Sequence, residues 1–520
     1  MKSKPIETRP MGESSTPTET SHLSPITLDT YDGKLHIEWS PDSAVTPLGQ
    51  LPFFIQFLKI GGRFDPWVNE CPLYYSSNNA PEIIDVLGSL FLSILSGHKR
   101  YAHINTLMSD RVSPQLLGMN KIISEDSARR AIKKIDEEQG IQWLKKHLLS
   151  CCEPLLYTPW ILDIDTTIKL IYGNQEDAVN GYNHEKPGRP SHTLHTYMIA
   201  NLRLILDVEV KAGNQSHSAH SLPGLMALLE TLTIDQRPYC VRGDIGFGTD
   251  NIMQDLERIE QPYLFKLRKS PNVQRLIHQH HNQGKWTTLK PGWEAKEARI
   301  ALQGWQQARR VVIVRRQLHA DAMIGFEKVL GDYKQLTLLE GPENIKAFEY
   351  SVLITSLSDD LLSLFHHYRD RADCENNFDE LKNQWGWGGY TTHDVKSCRL
   401  MTRTIALIYN WWNLYTRLAL PDKHHEAITS RPLLLSGIGR LTQHSSQKTL
   451  TITSMHSDHT KMSQAYARLC AVFLEIKRSA PQLKPLDTWR WLMHKIIDAF
   501  ELLRQKNNEH QAMNVVNNTV

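Results

Sequence analysis

Cysteine is scarce in this chain: seven among 520 residues, with no Cys-x-x-Cys pair. Cys71, Cys151, Cys152, Cys240, Cys374, Cys398 and Cys470 lie scattered. That excludes a disulfide framework and a cysteine-rich zinc site, and it points to a reducing cytosol. Long apolar runs are lacking too. The best stretch, Leu400 to Leu420, contains Arg403, Asn410, Asn413 and Arg417, so it reads as a helix of a water-soluble protein and not as a membrane span. No signal peptide is expected, since Met1 to Pro25 is polar and rich in Ser, Thr, Glu and Pro. Net charge is small: 59 basic against 56 acidic residues gives +3, which by itself names no partner. With 41% hydrophobic and 22% charged residues the chain can bury sizeable cores, and global disorder is excluded. At about 100–200 residues per domain, the length allows roughly two to four.

Patterning divides the chain. Residues 1–28 read as a disordered tail with few apolar side chains and many turn formers. Residues 29–150 read as a helical, DNA-binding region, helical from about Leu48, with apolar positions recurring three and four apart. Within 95–150, ten lysines and arginines face six acidic residues. Ser124-Glu125-Asp126 supplies a helix cap and an acidic first turn. The pattern then turns to strands. From "TPWILDIDTTIKLIYG" through "QPYLFKLRK" the predicted order is β-β-β-α-β-α-β, that of an RNase H-like core whose first part spans 151–270. A β-rich, basic insertion follows over 271–357. A second core segment, 358–420, opens with one long helix from about Asp359 to Gln384, stopped by Gly386, Gly388 and Gly389. A second long helix follows, and after Pro421 a polar linker-like stretch leads into a helical C-terminal region, completing 421–520. The fold class is α/β throughout the core, with helical flanks.

Three carboxylates stand out by position. Asp165 lies within the first strand, Asp244 where a later strand meets a glycine turn, and Glu375 inside the long helix. In an RNase H-like core such positions converge on one oxygen-rich pocket suited to two hard cations, which activate the attacking oxygen and stabilise the leaving one in phosphoryl transfer. Asp163 and Asp165 are two apart on a strand and share a face, so periodicity alone leaves both open as the first ligand. On the long helix, Tyr368, Arg371, Glu375 and Lys382 stand at offsets that, at about 100° per residue, bring all four onto one narrow stripe. A carboxylate flanked by two cations and a phenol fits a metal ligand whose neighbours grip phosphates.

That Tyr-x2-Arg-x3-Glu-x6-Lys spacing resembles the YREK signature of bacterial insertion-sequence transposases of the DDE class. "DIDTT" and "VRGDIGFG" are similar to the segments carrying the first two acidic residues of that family, and "YGNQEDAVNGYNHEKPGRPSH" resembles the subgroup with a YGHQEG-type stretch. Ile245 is a small departure, since relatives often have Ser there. The resemblance spans roughly residues 90–420. It implies that Asp165, in preference to Asp163, together with Asp244 and Glu375 is catalytic and binds Mg²⁺, with Mn²⁺ as a substitute. It implies that Arg371 and Lys382 contact phosphates at the transposon end, with Tyr368 beside them. It further implies cut-and-paste DNA transposition, acting on double-stranded inverted-repeat ends and target DNA, by a homodimer in the synaptic complex and in a bacterial cytoplasm at the nucleoid.

The expected insertion is locally basic: residues 262–316 hold twelve lysines and arginines against Glu294 and Glu297. That predicts a phosphate-binding surface, including Arg309 and Arg310. Trp286, Trp293 and Trp305 sit among these charges; core packing is one reading of each, and stacking on a base extruded from the cleaved strand, with Trp305 the choice, is the other. His278, His280 and His281, in an expected loop, lack partner ligands at metal spacing. Two rival functions remain at this stage: a nuclease of the same fold without strand transfer, and a non-catalytic DNA-binding protein derived from a transposase.

Overall fold

The structure, a computed structural model, describes residues 24–40, 43–183, 186–215, 218–281, 283–317, 348–453, 458–479 and 482–499; for 372–375 and 479 it describes the main chain. Strands β1 (Ile26–Thr30) and β2 (Gly33–Ile37) form an antiparallel hairpin where a tail was expected to run on to residue 28. The rest of that tail, residues 1–23, lies outside the described residues. After the two-residue β3 (Val45–Thr46) come the expected helices: α1 (Leu51–Ile60), α2 (Phe64–Asn69), α3 (Ile83–Leu95), the single turn α4 (Ser113–Leu116), α5 (Glu125–Lys134) and α6 (Glu137–Cys152). Ser124 caps α5, its hydroxyl accepting from the Ser127 amide. The helical pattern of 126–149 splits at Ile135 because Asp136 caps a new helix, accepting from the Gln139 amide.

The centre is one mixed sheet. It contains β4 (Ile161–Leu170), β5 (Val179–Asn180), β6 (Pro190–Ile199) and β7 (Leu204–Ala212), then α7 (Leu222–Thr231), β8 (Cys240–Gly243), α8 (Asp250–Arg258) and β9 (Tyr263–Lys266). The order β-β-β-α-β-α-β therefore appears as the patterning predicts, with β5 as a short addition at the edge. In space the strands run β9-β8-β4-β6-β7. Strands β8 and β9 run parallel to β4; β6 is antiparallel to it, and β7, antiparallel to β6, runs in the direction of β4 again.

Helix α9 (Pro271–His281) follows, so the three histidines expected in a loop close a helix. Strands β10 (Thr287–Lys290), β11 (Trp293–Ile300), β12 (Arg309–Gln317) and β13 (Phe348–Thr355) then extend the same sheet beyond β9, in the order β10-β11-β12-β13-β9. The described strands of the 271–357 segment thus lengthen the central sheet. The sheet has ten strands among the described residues.

The single long helix expected over 359–384 is two: α10 (Leu361–Arg369) and α11 (Ala372–Gln384). Neither proline nor glycine stands at the break. In an unbroken helix the His367 carbonyl would accept from the Arg371 amide. Here the guanidinium of Arg242, reaching up from β8, donates to that carbonyl, and the Arg371 amide turns to the Tyr368 carbonyl at 3.2 Å. A buried side chain from the sheet has diverted one rung of the ladder.

Helix α12 (Val395–Ala419) is buried along almost its whole length, including Trp411 and Trp412. The four polar residues that excluded a membrane span make its polar contacts. Asn410 pairs with both main-chain groups of Ile205 on β7, at 2.7 and 2.9 Å, and Arg403 reaches Asp207 at 2.8 Å. Asn413 and Arg417 both donate to the Leu202 carbonyl. Among the described residues no helix is long and apolar enough to cross a membrane. The stretch after Pro421 is more ordered than a linker: α13 (Ala427–Leu434) precedes the hairpin β14 (Gly439–His444) and β15 (Gln447–Ile452), which pairs with β3 from the far end of the chain. Helix α14 (His459–Ser479) and a helical segment over 485–499 follow.

Candidate active site

The register of β4 against β8 defines the site. Ile164 pairs with Gly243, the last residue of β8, so Asp165 lies beside Asp244 one step further on. Adjacent strands are about 4.8 Å apart, which sets the carboxylate in the middle of β4 beside the one just past the end of β8, on one face of the sheet. Asp244 is half-buried and holds its turn by accepting from the Gly246 amide at 2.8 Å.

Asp163, on the same face two residues earlier, is differently engaged. Arg242 grips it in a two-pronged ion pair, Nε to Oδ1 at 2.5 Å and Nη2 to Oδ2 at 2.6 Å, and both side chains are buried. The Asp163 carboxylate is thereby neutralised and satisfied. Asp165 has a narrow opening to solvent, and the Arg371 guanidinium stands 2.6 Å from its Oδ2. Burial pushes the Asp165 carboxyl up to about 6; Arg371 opposes the rise and Asp244 adds to it.

Helices α10 and α11 cover this end of the sheet, and their joint lies over it. Tyr368, in the last turn of α10, packs on the cluster that includes Cys240, Leu264 and Phe365; burial pushes its phenol up to about 12. Arg371 is the residue before α11, and Glu375 follows it by one helical turn on a helix that packs on β4. The described main chain thus carries Glu375 toward the site; its side chain lies outside the description. Lys382, half-buried in the last turn of α11, is about 16 Å along the helix from Arg371.

The basic strand behaves otherwise than its local charge implies. Arg309 is 4% exposed and turned inward, onto Glu257 at 2.6 Å and Asp250 at 2.5 Å on α8. The expectation that it lines a DNA surface is corrected: both acids lie outside the 262–316 window, where a count of neighbouring charges does not look. Arg310 pairs with Glu297 at 2.8 Å and donates to the Leu357 carbonyl, Arg315 pairs with Glu294, and Arg316 pairs with Glu349. All three tryptophans are half-buried beneath cations: Trp286 under Arg315 at 3.9 Å, Trp293 under Lys290 at 5.0 Å, and Trp305 under Arg309 at 5.2 Å.

Sequence reading passed over Arg242 and Glu380. Arg242 had a signal, since it stands two residues before Asp244 on a strand and so shares its face. Glu380 had none: it is buried and accepts from Trp385, the Ala427 amide and His424, partners brought together by tertiary structure.

Residues 78–472 match the family model described as transposase DDE domain group 1. The chain belongs to that DDE transposase family. Family membership implies an enzyme that cleaves and joins DNA, in a family that generally uses divalent metal ions. Among solved structures, the cryo-EM structure of a piggyBac transposase synaptic complex with hairpin DNA is similar at 13% identity and a TM-score of 0.38, over 87% of this chain and 85% of that one, a likeness too slight to transfer any residue's role. No curated protein matches the chain.

Proposed function

We propose that this chain is the transposase of a bacterial insertion sequence, built on an RNase H-like core and moving its element by cut-and-paste. One observation carries the proposal: Asp165, in the middle of β4, stands beside Asp244, just past the end of the adjacent parallel strand β8, in a chain of a DDE transposase family. The spatial order β9-β8-β4-β6-β7, with only β6 antiparallel to the other four, supports the RNase H-like reading.

In this reading Asp165, Asp244 and Glu375 hold Mg²⁺, with Mn²⁺ as a substitute. The donor chemistry fits. Carboxylates are the hard oxygen ligands these ions take. Asp163 is already neutralised by Arg242, whereas Asp165, its carboxyl raised chiefly by burial, keeps an opening to solvent beside Asp244. When bound, divalent ions supply charge neutralisation to the attacking and leaving oxygens of an in-line phosphoryl displacement. Arg371 and Lys382 hold phosphates of the transposon end, and Tyr368 backs Arg371. Water is the first attacking group, nicking each end. The freed 3′-hydroxyl then attacks the opposite strand and, later, target DNA. A homodimer holds the two ends together, and the helical region 29–150 contributes further DNA contacts. Trp305 remains the candidate to stack on an extruded base, while Arg309, turned inward, is left out of the interface. The setting is the bacterial cytoplasm, at the nucleoid.

The test uses a supercoiled plasmid carrying the coding sequence with its native flanks. With Mg²⁺ the purified protein is expected to cut at short inverted repeats and join the released ends to a second plasmid. The triple variant D165N/D244N/E375Q is expected to bind but not cut. Cutting by that variant overturns the assignment; nicking without joined product by the wild type leaves a nuclease.

A further inference from the structure

The loop after β4 carries an element that the acidic site does not use. Lys186, Pro187, Gly188 and Arg189 form a tight turn: Gly188 has φ +77°, and the Arg189 amide donates to the Lys186 carbonyl at 3.2 Å. Proline followed by a glycine of positive φ marks a type II turn, in which the first and fourth residues come within about 7 Å. Both cations close on one ring. The Arg189 guanidinium lies 4.5 Å and the Lys186 ammonium 5.3 Å from the centre of Tyr172, and Lys186 also donates to the Tyr172 hydroxyl at 2.9 Å. Tyr172 is 68% exposed.

The loop is anchored at its other end. The Glu176 amide donates to the His393 carbonyl at 2.9 Å, and the Glu176 carboxylate accepts from the Val395 amide at the start of α12. Gly181 lies so close to the Gly213 carbonyl that a Cβ there would collide with it. Two cations on an aromatic post, set in an anchored loop, cost little side-chain entropy when they meet an anion.

We infer that Tyr172, Lys186 and Arg189 form a second contact for duplex DNA, gripping the phosphate backbone away from the scissile bond. This rests on the transposase reading of the acidic site. Position supports it. Tyr172 is seven residues beyond Asp165 on the same run of chain, a reach of at most about 25 Å, or about seven base pairs at 3.4 Å each. Helix α11 also lies along β4 in that direction: Arg371 meets Asp165, and further along Lys169 donates to the Gly389 carbonyl beyond the end of α11. A duplex with a phosphate at Asp165 and its axis along β4 reaches the turn. Phosphate contacts carry no sequence information, so the grip is the same on any duplex.

The test measures binding of two fluorescent 30-bp duplexes, one of mixed sequence and one copied from the DNA flanking the coding sequence, as a function of salt. K186A/R189A is expected to bind both about tenfold more weakly at 0.1 M salt, with the slope of log affinity against log salt shallower by about two. Y172A is expected to show part of that loss, and Y172F less than Y172A. Acetylation of Lys186 in the wild-type protein is expected to fall when duplex binds, a readout that needs no variant. If K186A/R189A matches wild type in affinity and slope, or duplex leaves Lys186 labelling unchanged, this contact is wrong while the transposase reading stands. If wild type shows no salt-dependent duplex binding at all, the transposase reading fails with it.

Discussion

The Arg371 guanidinium stands 2.6 Å from the Asp165 carboxylate, closing an ion pair between a helix start and a central strand 206 residues away. One side chain thus occupies the carboxylate proposed to take a metal. In that proposal a divalent ion and Arg371 compete for the same oxygen. R371A is expected to bind Mn²⁺ several-fold more tightly at pH 8, by calorimetric titration, and to cleave DNA at least about 100-fold more slowly. Unchanged Mn²⁺ affinity would show that the ion pair and the metal do not share the site.

Asp163 and Arg242 are buried together, and Arg242 also takes the His367 carbonyl at the joint of α10 and α11. Removing one partner leaves a buried charge alone, at a cost of about 3–5 kcal/mol. D163N and R242M are each expected to lose stability of that order in urea unfolding. The double variant is expected to lose less than the sum. Strict additivity would argue against the pair.

His195 is fully buried on β6, with Nε2 2.8 Å from the Gln215 carbonyl and Nδ1 against the Ser221 hydroxyl. That pairing suits a neutral ring carrying its proton on Nε2. Burial lowers its pKa to about 4, against about 6.5 for an unfolded histidine. The lowered group leaves stability intact above about pH 6.5 and takes it away as pH falls toward 4, by up to about 1.4 kcal/mol per pH unit. H195Q removes that share, so its urea-derived stability is expected to fall less steeply than wild type between pH 6.5 and 4.5. Parallel curves for the two proteins would rule this out.

Arg309 serves the fold. R309M is expected to cost about 3–5 kcal/mol by stranding Glu257 and Asp250, while the salt slope of duplex binding stays as in wild type. A shallower slope at unchanged stability would return Arg309 to the DNA surface.

Gly181 ties the basic turn to the end of β7. Because a Cβ there meets the Gly213 carbonyl, G181A is expected to lower the melting temperature by several degrees and to weaken duplex binding. Full duplex affinity in a destabilised G181A would mean that the anchoring contributes nothing to the grip.

What the sequence determined by itself was local. Apolar spacing marked the helices, Ser124 the start of α5, and strand-like runs the order from β4 to β9, because helix caps and side-chain alternation act over a few residues. The tandem of Asp163 and Asp165, the "VRGD" turn and the Tyr-Arg-Glu-Lys spacing were legible for the same reason, and the family match over 78–472 agrees with the DDE transposase class to which they pointed. Tertiary structure decided what depended on partners far along the chain. The long helix breaks because Arg242 takes the His367 carbonyl; Arg309 turns inward because α8 brings Glu257 and Asp250 beneath it; Asp163 is silenced by a residue 79 positions away. A charged side chain follows the nearest opposite charge in space, and a window of sequence contains only those that happen also to be near in the chain.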